Sequence, residues 1–244
     1  MDTLEKIAEE KLALFSMLRK APPGELHGID LSNRDLSGLD LSKLDLTSAN
    51  FSKADLSGAN LSGAMLVEVN FEEANLKEVN LSMAVVRRGQ LSHANMGACI
   101  AVRTDFHEAQ MQGVNMWNAR ANGAVFDGAT MLSAVIMGAD LSDAKFIKAD
   151  LRWVNAQGAS LVQADFTDSH LERANFRNAN FERAKLTMSN LRKAVLSNAN
   201  LNSVDLSGSQ LHGALMRNAS LVNATVDKEQ LLVAVNPDLV TIVG

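Results

Sequence analysis

The sequence has one cysteine, no tyrosine and only three prolines among 244 residues. A single cysteine cannot form a disulfide within one chain, so the fold depends on packing and hydrogen bonds. No apolar run approaches the roughly 18 residues of a membrane span. The first 20 residues contain Glu5, Glu9 and Glu10, and such acidic residues are not typical of a signal peptide. These absences predict one cytoplasmic domain that does not bind membranes, with Cys99 serving only in packing.

Residues that could carry chemistry are also scarce or scattered. The five histidines lie far apart in the sequence, and no two have the spacing of metal ligands: His27, His93, His107, His170 and His212. Serine is abundant, but it recurs as part of a regular pattern, and that pattern indicates no serine paired with a base that would activate it. The glycines form no phosphate-binding loop. We therefore predict that the protein is not an enzyme and binds no metal or cofactor.

What the sequence does contain is a five-residue unit repeated in tandem. Ala-Asp-Leu-Ser-Gly at 54–58 is followed by Ala-Asn-Leu-Ser-Gly at 59–63. We call the large apolar residue of each unit its centre. Centres recur every five residues from Leu26 to Val226, giving 41 units without an insertion. The residue two before the centre is Ala in 25 units, and the residue just before it is Asp or Asn in 22.

A period of five fits neither an α-helix nor a β-strand, so the chain must turn in every unit. Such regularity predicts a solenoid, in which each repeat packs mainly against its neighbours and stacking builds a continuous core. The centre and the small residue two before it would point inward. The other three positions are polar and would point outward.

Tandem Ala-(Asp/Asn)-Leu units resemble the pentapeptide-repeat family over about residues 24–226. The resemblance implies an all-β solenoid, a right-handed quadrilateral β-helix with four units per coil. Residues 20 apart should then stack on one another. Phe106, Phe126, Phe146 and Phe166 meet that condition, and the small centres Ala101, Ala121 and Ala156 share coils with phenylalanines, as a fixed interior volume requires.

The segment before the repeats, residues 1–23, predicts a capping helix and a linker. Ile7, Phe15 and Leu18 recur at helical spacing within residues 3–20, and Pro22 and Pro23 end the helix. The first coil has large residues where Ala is expected, which favours a helix that covers the open end. The alternative is a helix that docks a partner.

The segment after the repeats, residues 227–244, predicts a helix and then a strand. Asp227 and Gln230 form a capping box before a short helix over 228–235, and residues 239–243 form an apolar strand. The strand either folds back on the last coil or joins two chains end to end as a homodimer. The candidate dimerisation residues are Leu231, Leu232, Val235, Leu239, Val240, Ile242 and Val243.

This tail resembles the dimerisation segment of the Qnr-type and mycobacterial fluoroquinolone-resistance members of the family. That resemblance implies a protein that binds the topoisomerase DNA gyrase, with a rod that imitates the shape and charge of DNA. Residues 21–80 carry ten acids against four bases, which agrees with DNA mimicry. The acids are spread over all sides, however, and no loop projects from the repeats.

Large apolar residues replace polar ones at a group of outward positions: Trp117, Leu132, Val135, Met137 and Trp153. They fall within two or three consecutive coils. Tryptophan is a favoured interface anchor, so this group is a candidate site for a protein partner. Alternatively, the indoles only lie over adjacent coils. Four outward arginines, Arg87, Arg88, Arg103 and Arg120, are interrupted by acids and predict solvated surface without direct nucleic-acid binding.

Overall fold

The structure is a computed structural model that describes residues 3–22 and 24–234, with side chains from residue 9 onward except that of residue 228. It contains helix α1 (Thr3–Lys20), a long repetitive region and helix α2 (Lys228–Leu232). Among the described residues, neither helix is long and apolar enough to cross a membrane.

The repetitive region is a β-helix solenoid with 20 residues in each coil. Parallel single-residue bridges join positions 20 apart, from Asp30↔Asn50 without interruption to Asp205↔Thr225. Around each bridge, one centre donates its N–H to the next coil, as Leu31 N does to Asn50 O at 2.8 Å. Four turns divide a coil into four sides. The predicted stacking of residues 20 apart is therefore confirmed.

Each unit bends through a tight turn just after its centre. The N–H three residues later donates to the carbonyl of the centre, as Ala49 N does to Leu46 O at 3.0 Å. The second residue within the turn has positive φ, as in a type II turn. The glycines two after a centre adopt this conformation, and so do many other residues, with φ between 52° and 60°.

The core is a column of centres and small residues. From Leu36 to Leu206 every centre is fully buried. The rings of Phe106, Phe126, Phe146 and Phe166 stack in order, with centroid separations of 5.0, 4.9 and 4.6 Å and interplanar angles of 8° or less. This agrees with the stack predicted from the sequence, and the resulting continuous interior makes the rod stiff.

Helix α1 lies against the first coil. The first-coil centres Leu31 and Leu36 have no preceding coil, yet they are at most 2% exposed. Leu18 is fully buried with them, and Leu14, which the pattern of apolar residues did not single out, packs beside it. Arg19 Nη1 donates to Ser42 O at 2.9 Å. In later coils the equivalent carbonyl accepts a backbone N–H, so the arginine replaces a missing coil.

The chain also folds against its last coil at the other end. Gln230 Nε2 donates to Ser209 O at 2.9 Å, and Gly213 N donates to Val233 O at 2.9 Å. One coil earlier, the two equivalent hydrogen bonds join backbone groups only. Asp227 N donates to Gln230 Oε1 at 3.0 Å, in agreement with the predicted capping box.

The predicted helix over 228–235 is too long. Helix α2 ends at Leu232 with Val233 as its C-cap, because the carbonyl of Val233 accepts the N–H of Gly213 in the last coil. Ala234 is 8% exposed. The predicted strand over 239–243 lies outside the described residues.

Candidate functional site

The five outward apolar residues all lie on one side of the solenoid, which we call the tryptophan side. It is built from seven-residue segments, each of which runs from one corner of the solenoid to the next. The segments repeat every 20 residues, from 52–58 to 212–218. Leu132 and Trp153 lie at one corner, Val135 lies in the middle, and Trp117 and Met137 lie at the other corner. We call these five residues the tryptophan belt. The grouping inferred from the sequence therefore exists in the structure as a diagonal band over three coils.

At the second corner, Trp117 and Met137 line a shallow groove of about 400 Å³ together with Gln157 and Gly158. Trp117 is 41% exposed and Met137 is 37% exposed. The indole extends toward the preceding coil, where Gly97 has no side chain to displace it. Leu132, Val135 and Trp153 do not line this groove, so the belt consists of one groove and one separate indole.

Trp153 is 46% exposed and has φ +57°. The guanidinium of Arg152 lies 5.6 Å from the centroid of its ring, a cation–π distance. The same guanidinium donates to Asp150 through Nε at 2.8 Å and Nη2 at 2.7 Å. Burial alone would raise the pKa of Asp150, but the hydrogen bonds from Arg152 hold it below its ordinary value. This fork fixes Arg152 against the indole.

The charges along the tryptophan side are arranged in order, which sequence reasoning missed. Before the belt, segments 52–58 and 72–78 carry four acids and two lysines. The next three segments, 92–98, 112–118 and 132–138, carry no Asp, Glu, Lys or Arg. After the belt, segments 172–178, 192–198 and 212–218 carry five cations and one acid. Aligning the sequence in rows of 20 would have found this order, whereas counting charges in contiguous blocks did not.

Other predicted positions can also be located. Arg87 pairs with Asp105 at 2.6 Å and Arg88 pairs with Glu68 at 2.9 Å, so two of the four arginines are neutralised on the surface. Leu231 packs against the core, while Leu232 is 77% exposed. The other dimerisation candidates, Val235, Leu239, Val240, Ile242 and Val243, lie outside the described residues.

The described part of the chain offers no constellation for metal binding, since no three of its His, Cys, Asp or Glu side chains are grouped to hold an ion. Cys99 is fully buried, and burial raises the pKa of its thiol to about 12. A thiol with so high a pKa is a poor nucleophile. What the tryptophan side presents is a surface of aromatic, apolar and charged side chains.

Comparisons with known proteins agree with this architecture. The family model for pentapeptide repeats matches in eight copies at residues 25–63, 54–88, 90–128, 134–173, 149–187, 159–198, 179–218 and 194–227. Among curated protein sequences, none matches the chain significantly.

Solved structures with similar folds include that of HetL, a pentapeptide repeat protein involved in heterocyst differentiation regulation from the cyanobacterium Nostoc sp. strain PCC 7120. It is 26% identical, with a TM-score of 0.54, and the match covers 83% of this chain and 95% of HetL. QnrB1, a plasmid-mediated fluoroquinolone resistance protein, matches at 21% identity and a TM-score of 0.31, over 84% and 92% of the two chains. A protein of the Arabidopsis thaliana thylakoid lumen matches at 26% identity and a TM-score of 0.22, over 51% and 76%. With eight matched copies spanning most of its length, the chain belongs to the pentapeptide-repeat family.

Proposed function

We propose that this protein is a non-catalytic, protein-binding rod that docks a partner on the tryptophan belt. The observation that carries the proposal is the presence of two half-exposed indoles on one side of the solenoid, where segments 92–98, 112–118 and 132–138 carry no Asp, Glu, Lys or Arg. Large exposed apolar groups that lie together on a soluble protein are uncommon and mark interaction sites. Tryptophan and methionine are also enriched where partners bind. The rod supplies a rigid backbone, so little ordering entropy opposes binding.

The likeness to HetL supports a regulatory role for such a rod. HetL is a pentapeptide repeat protein involved in heterocyst differentiation regulation. The buried thiol of Cys99 suits a reducing compartment, and a cytoplasmic location is part of this proposal.

The test replaces both indoles, Trp117→Ser with Trp153→Ser, and compares the proteins recovered from lysate by the variant and by the original chain. We expect at least one recovered partner to be lost. A matched control replaces Met83 and Met188 by Ser, because these side chains are 65% and 62% exposed but lie on other sides. If the tryptophan variant and the methionine variant recover the same proteins as the original chain, the belt is not a docking surface.

A second candidate function is binding to DNA gyrase, with the rod imitating DNA. The observation that favours it is the excess of acids in residues 21–80, ten against four bases. This reading uses the first coils and not the belt. If excess protein leaves gyrase supercoiling and its inhibition by quinolones unchanged, the gyrase reading is wrong. Reversing Glu72 and Glu78 to Lys should weaken any effect that depends on the acidic coils.

The end-to-end homodimer is a separate proposal. Leu232 is available for it, since its side chain is 77% exposed beyond the last coil. Leu231 already packs within its own chain. Most of the predicted contact would therefore come from residues beyond 234.

A further inference from the structure

The order of charges on the tryptophan side makes that side complementary to itself. Acids lie on one flank of the belt and cations on the other. Arg173, Arg177, Arg192, Lys193 and Arg217 are exposed, and within the described residues they form no ion pair. The belt lies near the middle of the rod, so the two charged flanks have similar lengths.

We propose that the partner of the belt is a second copy of this chain, packed side by side and antiparallel, with a twofold axis crossing the rod at Val135. This inference rests on the proposed function, because it names the partner of the same surface. Closed twofold dimers, in which the same patch faces itself, are the commonest protein oligomers. The axis would lie in the interface, across the rods, so that it reverses their direction but keeps each corner opposite the same corner.

This symmetry brings opposite charges together. Segment 72–78 of one copy faces segment 192–198 of the other. At the shared corner Glu72 meets Arg192 and Glu73 meets Lys193, and the operation makes each contact twice. All four side chains are exposed. Within one chain, Glu73 has only a long contact of 3.9 Å to Lys53 Nζ, so it is available to a new partner.

The belt fills the centre of the same arrangement. Leu132, Val135 and Met137 lie on the axis and meet their own copies. Trp153 faces Gly113 and the imidazole of His93 that lies over it, and Trp117 faces Gln157 in the groove that Trp117 itself lines. Apolar contacts at the centre with charges around them are the usual anatomy of an interface.

Other alignments are disfavoured by charge. A parallel arrangement would place acids over acids and cations over cations. An antiparallel arrangement shifted by one coil in one direction would place Glu72 against Glu172 and Lys77 against Arg177, two like-charge pairs against one opposite pair, Glu73 with Arg173. A shift in the other direction would place Glu72 against His212 and leave Arg192 facing Ser92. Contacts between like charges destabilise a wrong register more than exposed ion pairs stabilise the correct one.

The first test exchanges the charges. The variants are Glu72→Arg with Glu73→Lys, Arg192→Glu with Lys193→Glu, and all four changes together. We expect the original chain to have twice its 26.3 kDa mass by light scattering. The dimer dissociation constant of each double variant should be at least tenfold higher than that of the original chain. The fourfold variant should regain the dissociation constant of the original chain. Positions 73 and 193 have φ of 56° and 60°, and arginine already occupies such positions elsewhere, so folding should not suffer.

A matched control reverses two cations at another corner, Lys43→Glu with Arg103→Glu. Both are exposed and have φ of 60° and 53°. We expect the control to keep the mass of the original chain. A monomer at concentrations up to about 0.1 mM, or a fourfold variant that dissociates like the double variants, would overturn the proposal.

The second test locates the axis. A cysteine at Val135 should be linked to its own copy by a bis-maleimide of about 10 Å reach, the usual spacing of facing sheets. Asn75→Cys occupies the same column three coils away and faces Val195, so it should give no linked dimer. Cys99 is buried and should not interfere.

Small-angle scattering measures the length of the dimer. We expect a particle about as long as one rod, ~50 Å at about 4.8 Å per coil. A particle of twice that length would identify an end-to-end dimer instead.

The two proposals can fail separately. If the charge exchanges leave the mass unchanged while the two tryptophan changes still abolish capture of another protein, the belt docks a different partner and the present inference is wrong. If neither set of changes has any effect, both proposals fail.

Discussion

The indole of Trp117 lies directly over Gly97, its neighbour one coil earlier, in space that a methyl group on Gly97 would occupy. The glycine is thus part of the site, although it is not itself a contact residue. Gly97 does not have positive φ, so its role is to leave room and not to allow a special backbone conformation.

We expect Gly97→Ala to displace the Trp117 indole without unfolding the rod. The alanine itself favours the folded state slightly, by less than about 1 kcal/mol, and its overlap with a surface indole opposes that gain. In a Trp153→Phe background, the emission of Trp117 should shift to longer wavelength. In a Trp117→Ser background, Gly97→Ala should leave the free energy of unfolding unchanged or raise it. If Gly97→Ala changes that free energy equally with and without Trp117, the contact has no energetic role.

The phenylalanine stack predicts a volume rescue within one coil. Phe146→Ala should lower the free energy of unfolding by about 3–5 kcal/mol, since the ring is fully buried between two others. Ala156 is a centre on the opposite side of that coil. Adding Ala156→Leu should recover part of the loss, whereas adding Ala121→Leu, in a coil that still has its Phe126, should not. Urea unfolding followed by circular dichroism measures both.

The turn conformation predicts an unusual order of substitutions at Trp153. Its φ is +57°, in the left-handed region that Asn tolerates and β-branched residues do not. Trp153→Val should therefore cost about 1–3 kcal/mol, while Trp153→Asn should be close to neutral. The same pair of substitutions at Trp117, which has no positive φ, should differ much less. Thermal unfolding distinguishes the two positions.

The docking of α1 should depend on acid pH. Hydrogen bonds from Ser37, followed by that from Lys11, lower the pKa of Asp35 from 3.8 to about 2. A depressed pKa stabilises the folded state above the ordinary value, and that contribution is lost as the pH falls from 3.8 toward 2. The variant Asp35→Asn should unfold at a lower temperature at neutral pH and show a flatter stability profile in that window. Asp168→Asn, which removes an exposed carboxylate elsewhere on the rod, serves as the matched control.

The C-terminal end predicts a local effect of Gln230. Its side chain donates to Ser209 O, so Gln230→Ala leaves that carbonyl without its donor and opens the last coil. Amide hydrogen exchange should rise in residues 209–226 and stay unchanged near the middle of the rod. Gln230→Glu keeps an acceptor for Asp227 N but cannot donate to Ser209 O, so exchange should rise in this variant too. Exchange that rises equally everywhere would mean that the rod unfolds as one unit.

Much of this protein could be predicted from its sequence because every unit makes nearly the same local choices. The five-residue period required a solenoid, the spacing of Phe106, Phe126, Phe146 and Phe166 predicted a stack, and the helix over 3–20 followed from its apolar spacing and the prolines after it. The belt residues could also be placed together, because the 20-residue length of a coil fixes where each one lies on the tryptophan side.

The sequence alone did not determine the features that depend on neighbours across coils. Turn residues such as Trp153 adopt positive φ because tertiary packing imposes the turn. The signs of it in the sequence are the glycines at other such positions and the absence of Val, Ile and Thr from all of them. Helix α2 ends early because the carbonyl of Val233 is bonded to Gly213. The space beneath Trp117 and the opposed charges that flank the belt arise only when coils stack, since stacking brings residues 20 apart in the chain to within one coil spacing.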